Sequence, residues 1–113
     1  MPKYIAFFRL SSGTIAAAME NPTDRAQVVE RTAREAGGRL ESYYWMFGEH
    51  DGFAIVELPD SRAMAAVALA ASSTGAFTSF ETHELISAAE VNDRLAEAKR
   101  IAAVYTPPGT QPH

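Results

Sequence analysis

The sequence predicts an α+β fold in which one antiparallel sheet of four strands carries two helices on one face. Three observations support this prediction. Four segments rich in aliphatic and aromatic residues alternate in polarity, which is typical of half-buried strands. Two segments between them carry apolar residues at helical spacing. The resulting order, β-α-β-β-α-β plus an extra C-terminal helix, gives the ferredoxin-like arrangement when its crossovers are right-handed.

The first half of the chain contributes one strand and one helix to this prediction. Lys3–Leu10 is rich in aromatic and aliphatic residues and is predicted as the first strand. The stretch from Ser11 to Glu20 is predicted as a loop with at most one helical turn. We expect the first helix to begin with Asn21 as its cap and Pro22 in the first helical position, and to end at Gly37.

The second half is predicted to form a hairpin, a helix, a strand and a final helix. Its strands are Arg39–Phe47, Phe53–Leu58 and Phe77–Ile86. The turn Gly48–Gly52 joins the first two of these strands. Asp60 is expected to cap a helix over Ser61–Ser72. Ser87 begins a capping box, which marks the start of the final helix.

Length and composition indicate one globular domain with a single core, since 113 residues are 47% hydrophobic and 21% charged. The net charge of -4 and the interleaving of acids with bases argue against a nucleic-acid partner. The absence of cysteine excludes disulfides and thiolate chemistry. No run is long enough for a membrane span. We expect a cytoplasmic protein with a domain over residues 1–104 and a disordered tail over residues 105–113.

Alternation along the strands divides the sheet into two faces, and each strand gathers its charges mainly on one of them. We expect the charge-free sets to lie under the helices and the charged sets to share the other face. That face would carry an apolar patch of Phe7, Tyr43, Trp45, Phe47, Phe53 and Ile55. Its polar members would be Arg9, Glu41, Glu57, Glu81 and His83. A patch of this kind favours an oligomer interface, a ligand pocket enclosed by that interface, or both.

Three parts of the chain resemble the GYD domain family over about residues 2–100. They are PKYIAFF, the segment GGRLESYYWMFGEHDGFAIVELPD and the alanine-rich helix after it. The most specific pieces are GGR, the Gly48-x-x-Asp51 turn and Glu57-x-Pro59-Asp60, and the signature tyrosine of the family falls at His50. The resemblance implies a ferredoxin-like fold related to the dimeric α+β barrels. It also implies self-association, in a bacterial family whose function is largely uncharacterised.

His50 is the first candidate for chemistry, because it lies in the hairpin turn between Glu49 and Asp51. It could act as a general base whose ring is oriented by a carboxylate. The alternative is a solvated turn in which Asp51 holds the backbone through a side-chain hydrogen bond.

His83 and Glu81 form the second candidate, since residues at i and i+2 share one face of a strand. With Glu41 or Glu57 they could bind a metal, but no HxH or HxxxH pair is present, and we expect neither a metal nor a cofactor. The alternative is a charge-paired strand at a sheet edge or interface.

Arg9, Tyr43 and Trp45 are the third candidate, as residues that bind a ligand together with Phe53 and Glu81. An arginine can clamp a carboxylate, and the two aromatic rings can stack on a flat molecule. The alternative is an ion pair of Arg9 with Glu57 buried between subunits.

Two functions from different classes fit these residues. The first is a homo-oligomeric module that binds a small organic molecule, aromatic or carboxylate-bearing, at the charged aromatic face. The second is a cofactor-independent enzyme in which His83, Glu57 or His50 transfers a proton. Carboxylates beside Trp45 and Phe53 would lose hydration, which raises a carboxyl pKa towards a useful range.

Overall fold

The computed structural model describes residues 1–111, which form four strands and four helices. The elements are β1 Lys3–Leu10, α1 Ser12–Glu20, α2 Arg25–Glu35, β2 Arg39–Trp45, β3 Gly52–Glu57, α3 Ser61–Ser72, β4 Phe77–Leu85 and α4 Ala88–Ala102. The strands make one antiparallel sheet in the order β2-β3-β1-β4. The predicted ferredoxin-like α+β fold is therefore confirmed.

The stretch predicted as a loop after β1 is instead the helix α1. The side chain of Ser11 caps it by accepting a hydrogen bond from the amide of Thr14 at 3.2 Å. Three consecutive alanines, residues 16–18, follow in this helix. Alanine has the strongest intrinsic helix preference, and here this preference outweighs the Ser-Gly start of the segment.

The predicted start of the next helix is also wrong, because the cap is Asp24. Its carboxylate accepts a hydrogen bond from the amide of Gln27 at 3.2 Å, and α2 begins at Arg25. Asn21 instead ends α1 by donating its amide to the carbonyl of Ala17 at 2.9 Å. Two chemically suitable caps lie close together here, and the end of α1 occupies the first of them.

The other predicted helix ends are confirmed. Gly37 follows α2 with a φ of 93°, a conformation that glycine adopts without strain. Asp60 caps α3 through the amide of Ala63 at 2.9 Å. Ser87 caps α4: its hydroxyl accepts the amide of Glu90 and donates to the Glu90 carboxylate, both at 3.1 Å, whereas in a full capping box the carboxylate would accept the Ser87 amide.

The core lies between the sheet and the pair α2 and α3. Its buried members are Tyr4, Ala33, Val56, Leu58 and Met64. Leu58 is fully buried, with 0% of its surface exposed. Burial of a leucine side chain stabilises a fold by about 1.5–3 kcal/mol, so this layer supplies much of the hydrophobic driving force.

The predicted faces are confirmed for β1 and β3 but wrong for β2 beyond its third residue. Leu40 pairs with Val56, while Ser42 pairs with Ile55, so Glu41 is an extra residue in a β-bulge. An inserted residue turns every later side chain to the opposite face. Tyr43, opposite Ala54, therefore lies on the helix-covered face.

The helix α4 projects from the body of the molecule. The chain has a radius of gyration of 18.3 Å and a longest dimension of 63 Å. A compact chain of this length has a radius of gyration of about 13 Å. Within residues 1–111 no helix combines the length and the apolarity needed to cross a bilayer. Of the predicted tail, residues 107–110 form a turn, and residues 112 and 113 lie outside the described residues.

Candidate functional site

The candidate site lies on the open sheet face, defined as the face opposite α2 and α3. The register of the two central strands brings apolar residues together on this face, because Ile5 pairs with Ile55 and Phe7 pairs with Phe53. The apolar set on this face is Ile5, Phe7, Tyr44, Phe53 and Ile55. Most of these side chains are half-buried, and Tyr44 is 61% exposed.

Phe7 is the centre of the site. Its ring centroid lies 5.2 Å from that of His50, 6.0 Å from that of Phe53 and 6.3 Å from that of His83. These four residues, named here the Phe7 cluster, come from β1, β3, β4 and the loop between β2 and β3. Two of the predicted catalytic residues, His50 and His83, therefore contact the same aromatic ring.

The loop that carries His50 is fastened to β1. Asp51 donates its amide to the carbonyl of Phe8 and accepts the amide of Leu10 on its carboxylate, both at 2.8 Å. The Asp51 carboxylate therefore does hold backbone, but the backbone is that of β1 and not that of its own turn. The Arg9 Nη1 atom donates to the carbonyls of Gly48 and Glu49 at 3.0 and 2.9 Å. These bonds bring His50 back over the open sheet face instead of leaving it at a solvated tip.

His50 has one unused polar atom in this arrangement. Its Nδ1 is buried, and no group in residues 1–111 forms a hydrogen bond with it. A buried polar atom without a partner costs about 1–3 kcal/mol. A bound molecule or a second chain that supplies a hydrogen bond here would recover that free energy.

His83 and Glu81 lie on the edge strand β4, where Glu81 pairs with Phe7 and His83 pairs with Ile5. The His83 Nε2 and Glu81 Oε2 atoms are 3.1 Å apart. Both side chains are about half exposed, at 56% and 54%. The pair forms a polar wall along one side of the Phe7 cluster.

Glu57 belongs to a separate group of charges at the other end of the face. It lies 2.7 Å from the Arg39 Nε atom and 3.9 Å from the Lys3 Nζ atom, and Lys3 also bonds Glu41 at 2.9 Å. Within one chain Glu57 lies opposite Lys3 and far from Arg9, so the predicted pair of Glu57 with Arg9 between subunits stays a prediction. Six residues of strand, or about 20 Å, separate Lys3 from Arg9.

The expected rise in the pKa of Glu57 is wrong. The hydrogen bond from Arg39 lowers the pKa of Glu57 below its ordinary value, and this effect outweighs the desolvation that opposes it. A carboxylate in this state stays ionised at neutral pH. Glu57 is therefore fitted to hold the end of the sheet together.

Tyr43 and Trp45 lie on the helix-covered face, away from the Phe7 cluster. Their rings pack on Phe8, with centroid distances of 5.8 and 6.2 Å. Burial raises the pKa of Tyr43, an effect that nearby Arg25 opposes. Their predicted position on the charged face is wrong because of the bulge at Glu41.

Tyr44 takes their place on the open sheet face, where its ring lies 5.5 Å from that of Phe53. Sequence alternation assigned Tyr44 to the covered set. The adjacent polar residues Glu41 and Ser42 are the one local sign of an interrupted alternation. Across residues 1–111 no three histidine or carboxylate side chains are grouped closely enough to hold a metal ion.

The model of the GYD domain family matches residues 4–95 of the chain. The chain belongs to the GYD domain family. The match includes all four strands, except for Lys3 at the start of β1, and every member of the Phe7 cluster. It ends within α4, so the second half of that helix lies beyond it. No curated protein matches this GYD domain.

Two crystal structures resemble the GYD domain in fold. FFRP-DM1 superposes with a TM-score of 0.52 at 15% identity, over 76% of this chain and 100% of that chain. TTHA0845 from Thermus thermophilus superposes with a TM-score of 0.51 at 19% identity, over 78% and 96% of the two chains. Identities this low carry information on the fold and not on the chemistry.

Proposed function

We propose that this GYD domain is a homo-oligomeric module that binds a small organic molecule at the Phe7 cluster. The bound molecule would carry an aromatic ring and a carboxylate or similar polar group. The observation that supports this proposal most strongly is the placement of two histidines and two phenylalanines together on a face that the chain's own core helices leave open.

The apolarity of the open sheet face supports self-association. Five neighbouring aliphatic and aromatic side chains form one apolar patch there. Soluble monomers rarely expose a contiguous apolar patch of more than a few hundred Å². Two sheets pack face to face at about 10 Å, which would remove this patch from water. The polar groups at its edges, such as Glu81 and His83, would then form the rim of the interface.

The ligand class follows from the groups around Phe7. Its flat ring offers a stacking surface, and His50 and His83 approach it from two sides. The buried Nδ1 atom of His50 offers one hydrogen bond. Arg9 uses one nitrogen for the loop carbonyls, and a guanidinium has further donors that can bind a carboxylate.

The oligomer is tested by Tyr44→Glu, because Tyr44 lies on the open sheet face and is exposed enough for the monomer fold to accept the change. Phe47→Glu is the matched control, since Phe47 is 103% exposed at the loop tip. Sedimentation equilibrium should show an oligomer for the wild type and for Phe47→Glu, and a shift towards monomer for Tyr44→Glu. Equal masses for all three proteins would refute an interface on this face.

A cofactor-independent proton-transfer enzyme is the second candidate, supported by the 3.1 Å contact of His83 with Glu81. The hydrogen bond from Arg39 lowers the pKa of Glu57 and keeps it ionised and ion-paired, which leaves His83 as the candidate base. We would incubate a co-purified molecule with the protein in heavy water and follow deuterium entering a carbon–hydrogen bond. Exchange that persists in His83→Gln, or that is lost equally in the control Glu84→Gln, would exclude this role.

A further inference from the structure

The strand β4 forms one edge of the sheet and, with nine residues, is longer than the other three strands. An edge strand presents a row of backbone N–H and C=O groups on which another strand can pair. The opposite edge is protected, because β2 has a bulge at Glu41 and the Glu30 carboxylate accepts the amide of Leu40 at 2.7 Å. Within residues 1–111 no turn or loop forms a backbone hydrogen bond with β4. The edge of β4 is therefore left open.

The register of the sheet decides which backbone groups of β4 point outward. The Phe8 carbonyl accepts the Asp51 amide, so the backbone groups of Phe8 point towards β3. Hydrogen-bonded and non-hydrogen-bonded positions alternate along an antiparallel strand, so the backbone groups of Phe7 point towards β4. Phe7 pairs with Glu81, and the backbone groups of Glu81 therefore bond β1. The outward N–H and C=O groups belong to the alternate residues Phe80, Thr82 and Glu84.

We propose that β4 pairs antiparallel with β4 of a second copy, with Thr82 opposite Thr82. In this arrangement every outward group of the three residues meets an outward group of the second copy, and the two sheets become one sheet of eight strands. Threonine pairs facing each other across strands are among the pairs that stabilise a sheet. Identical strands related by a two-fold axis form a closed dimer.

The charges on β4 select this register. Outward groups must meet outward groups, so the second strand can shift only in steps of two residues. A register centred on Glu81 would set two carboxylates directly opposite each other, which is destabilising. A register centred on His83 would set two imidazoles opposite each other. The register centred on Thr82 instead sets Glu81 opposite His83 of the second copy, and does so twice. The edge is therefore complementary to itself in charge.

The second copy also completes the polar wall beside the Phe7 cluster. Glu81 and His83 of one chain are in contact at 3.1 Å, and both side chains are half exposed. Their Cα atoms are about 6.8 Å apart along the strand, whereas directly opposite residues of a non-hydrogen-bonded pair are about 4.5 Å apart. Each imidazole therefore gains the carboxylate of the second copy as a closer neighbour. This inference goes beyond the proposed function, because it concerns the edge of the sheet and not its open face.

The absence of cysteine allows a direct test by disulfide formation. The full chain with Thr82→Cys is equilibrated in a glutathione buffer and weighed by mass spectrometry. We expect a shift from one chain of 12.2 kDa to two linked chains. Opposite residues of a hydrogen-bonded pair have Cα atoms about 5.5 Å apart, which suits a disulfide. Thr78→Cys is the matched control, since Thr78 is more exposed on the same strand, and it should stay unlinked because the two copies of Thr78 would be about 27 Å apart.

Hydrogen exchange followed by NMR gives a second measurement, which needs no substitution. The amides of Phe80, Thr82 and Glu84 should exchange more slowly as the concentration of the wild-type protein rises, because each gains a carbonyl partner in the dimer. The amides of Glu81 and His83 bond β1 and should be slow at every concentration, so they serve as the internal reference.

Two results would overturn the proposal. One is a Thr82→Cys protein that links no more than Thr78→Cys, and the other is exchange of the three outward amides at rates that do not change with concentration. Stacking on the open sheet face cannot produce the Thr82 link, because Thr82 pairs with Ala6 on the helix-covered face. Addition of Tyr44→Glu should therefore leave this link intact, so the edge pairing and the sheet interface can fail separately.

Discussion

Replacement of Gly52 by alanine should destabilise the fold at the start of β3, directly after the loop that holds His50. A methyl group at this position would lie 2.5 Å from the Phe8 Cζ atom and 2.6 Å from the Tyr44 carbonyl oxygen. The Phe8 ring is buried, and the carbonyl is part of β2, which pairs with β3 here. Neither group can move without loss of packing or of strand pairing. Glycine is required here because the Phe8 ring and the Tyr44 carbonyl leave no room for a side chain, and not because of its backbone angles.

The expected cost follows from this overlap. Insertion of a methyl group into a well-packed region usually lowers the free energy of unfolding by about 1–3 kcal/mol. For a chain of this size that corresponds to a fall in Tm of about 4 °C per kcal/mol. Gly13→Ala is the matched control, because nothing lies within 4 Å of its added methyl group inside α1. That change should raise the free energy of unfolding by about 0.4–1 kcal/mol, because alanine restricts the unfolded chain more than glycine does.

Urea denaturation followed by circular dichroism, at one protein concentration for all variants, measures both changes. Constant concentration is needed because self-association contributes to apparent stability. The reasoning is refuted if Gly52→Ala is as stable as the wild type, or if both glycine variants shift the midpoint in the same direction.

Three further predictions concern single contacts. Leu58→Ala should lower the free energy of unfolding by about 2–5 kcal/mol in urea, whereas Leu69→Ala, at a site 72% exposed, should change little. Asp51→Ala removes the acceptor of the Leu10 amide and should cost about 1.5–3 kcal/mol, with faster hydrogen exchange at that amide. The pKa of Glu57 is lower in the folded chain than its ordinary value of 4.5. Its ion pair therefore stabilises the protein at pH values above 4.5, and this stabilisation is lost as the pH falls through the folded pKa. Glu57→Gln should therefore lose less stability than the wild type on acidification; an equal loss would contradict this account.

The parts of the fold that depend on local chemistry could be predicted from the sequence. The caps at Asp60 and Ser87 are local signals, since each serves an amide three residues ahead. The faces of β1 and β3 follow from undisturbed alternation. Where two local signals competed, as at Asn21 and Asp24, the sequence did not decide between them.

The candidate site depended on contacts between distant residues and was predicted in part. His83, Glu81 and Phe53 were placed on the open sheet face correctly, because alternation holds along their strands at these positions; the register shift of β4 comes before them, between Phe77 and Ser79. Tyr43 and Trp45 were placed on that face wrongly, because the extra residue Glu41 turns every later side chain of β2 to the opposite face.

His50 reaches Phe7 through bonds from Arg9 and Asp51 to groups about 40 residues away along the chain. Such bonds leave no periodic pattern in the sequence. Local reasoning therefore describes His50 as a turn residue, and the fold makes it part of the Phe7 cluster.

The most direct measurement of the central proposal is the mass of the purified wild-type protein under gentle ionisation, before and after mild denaturation. The account predicts an oligomer of the 12.2 kDa chain that carries a discrete extra mass, which is released on denaturation. A monomer without added mass, at concentrations where interfaces of standard size are occupied, would contradict both the interface and the ligand site on the open sheet face.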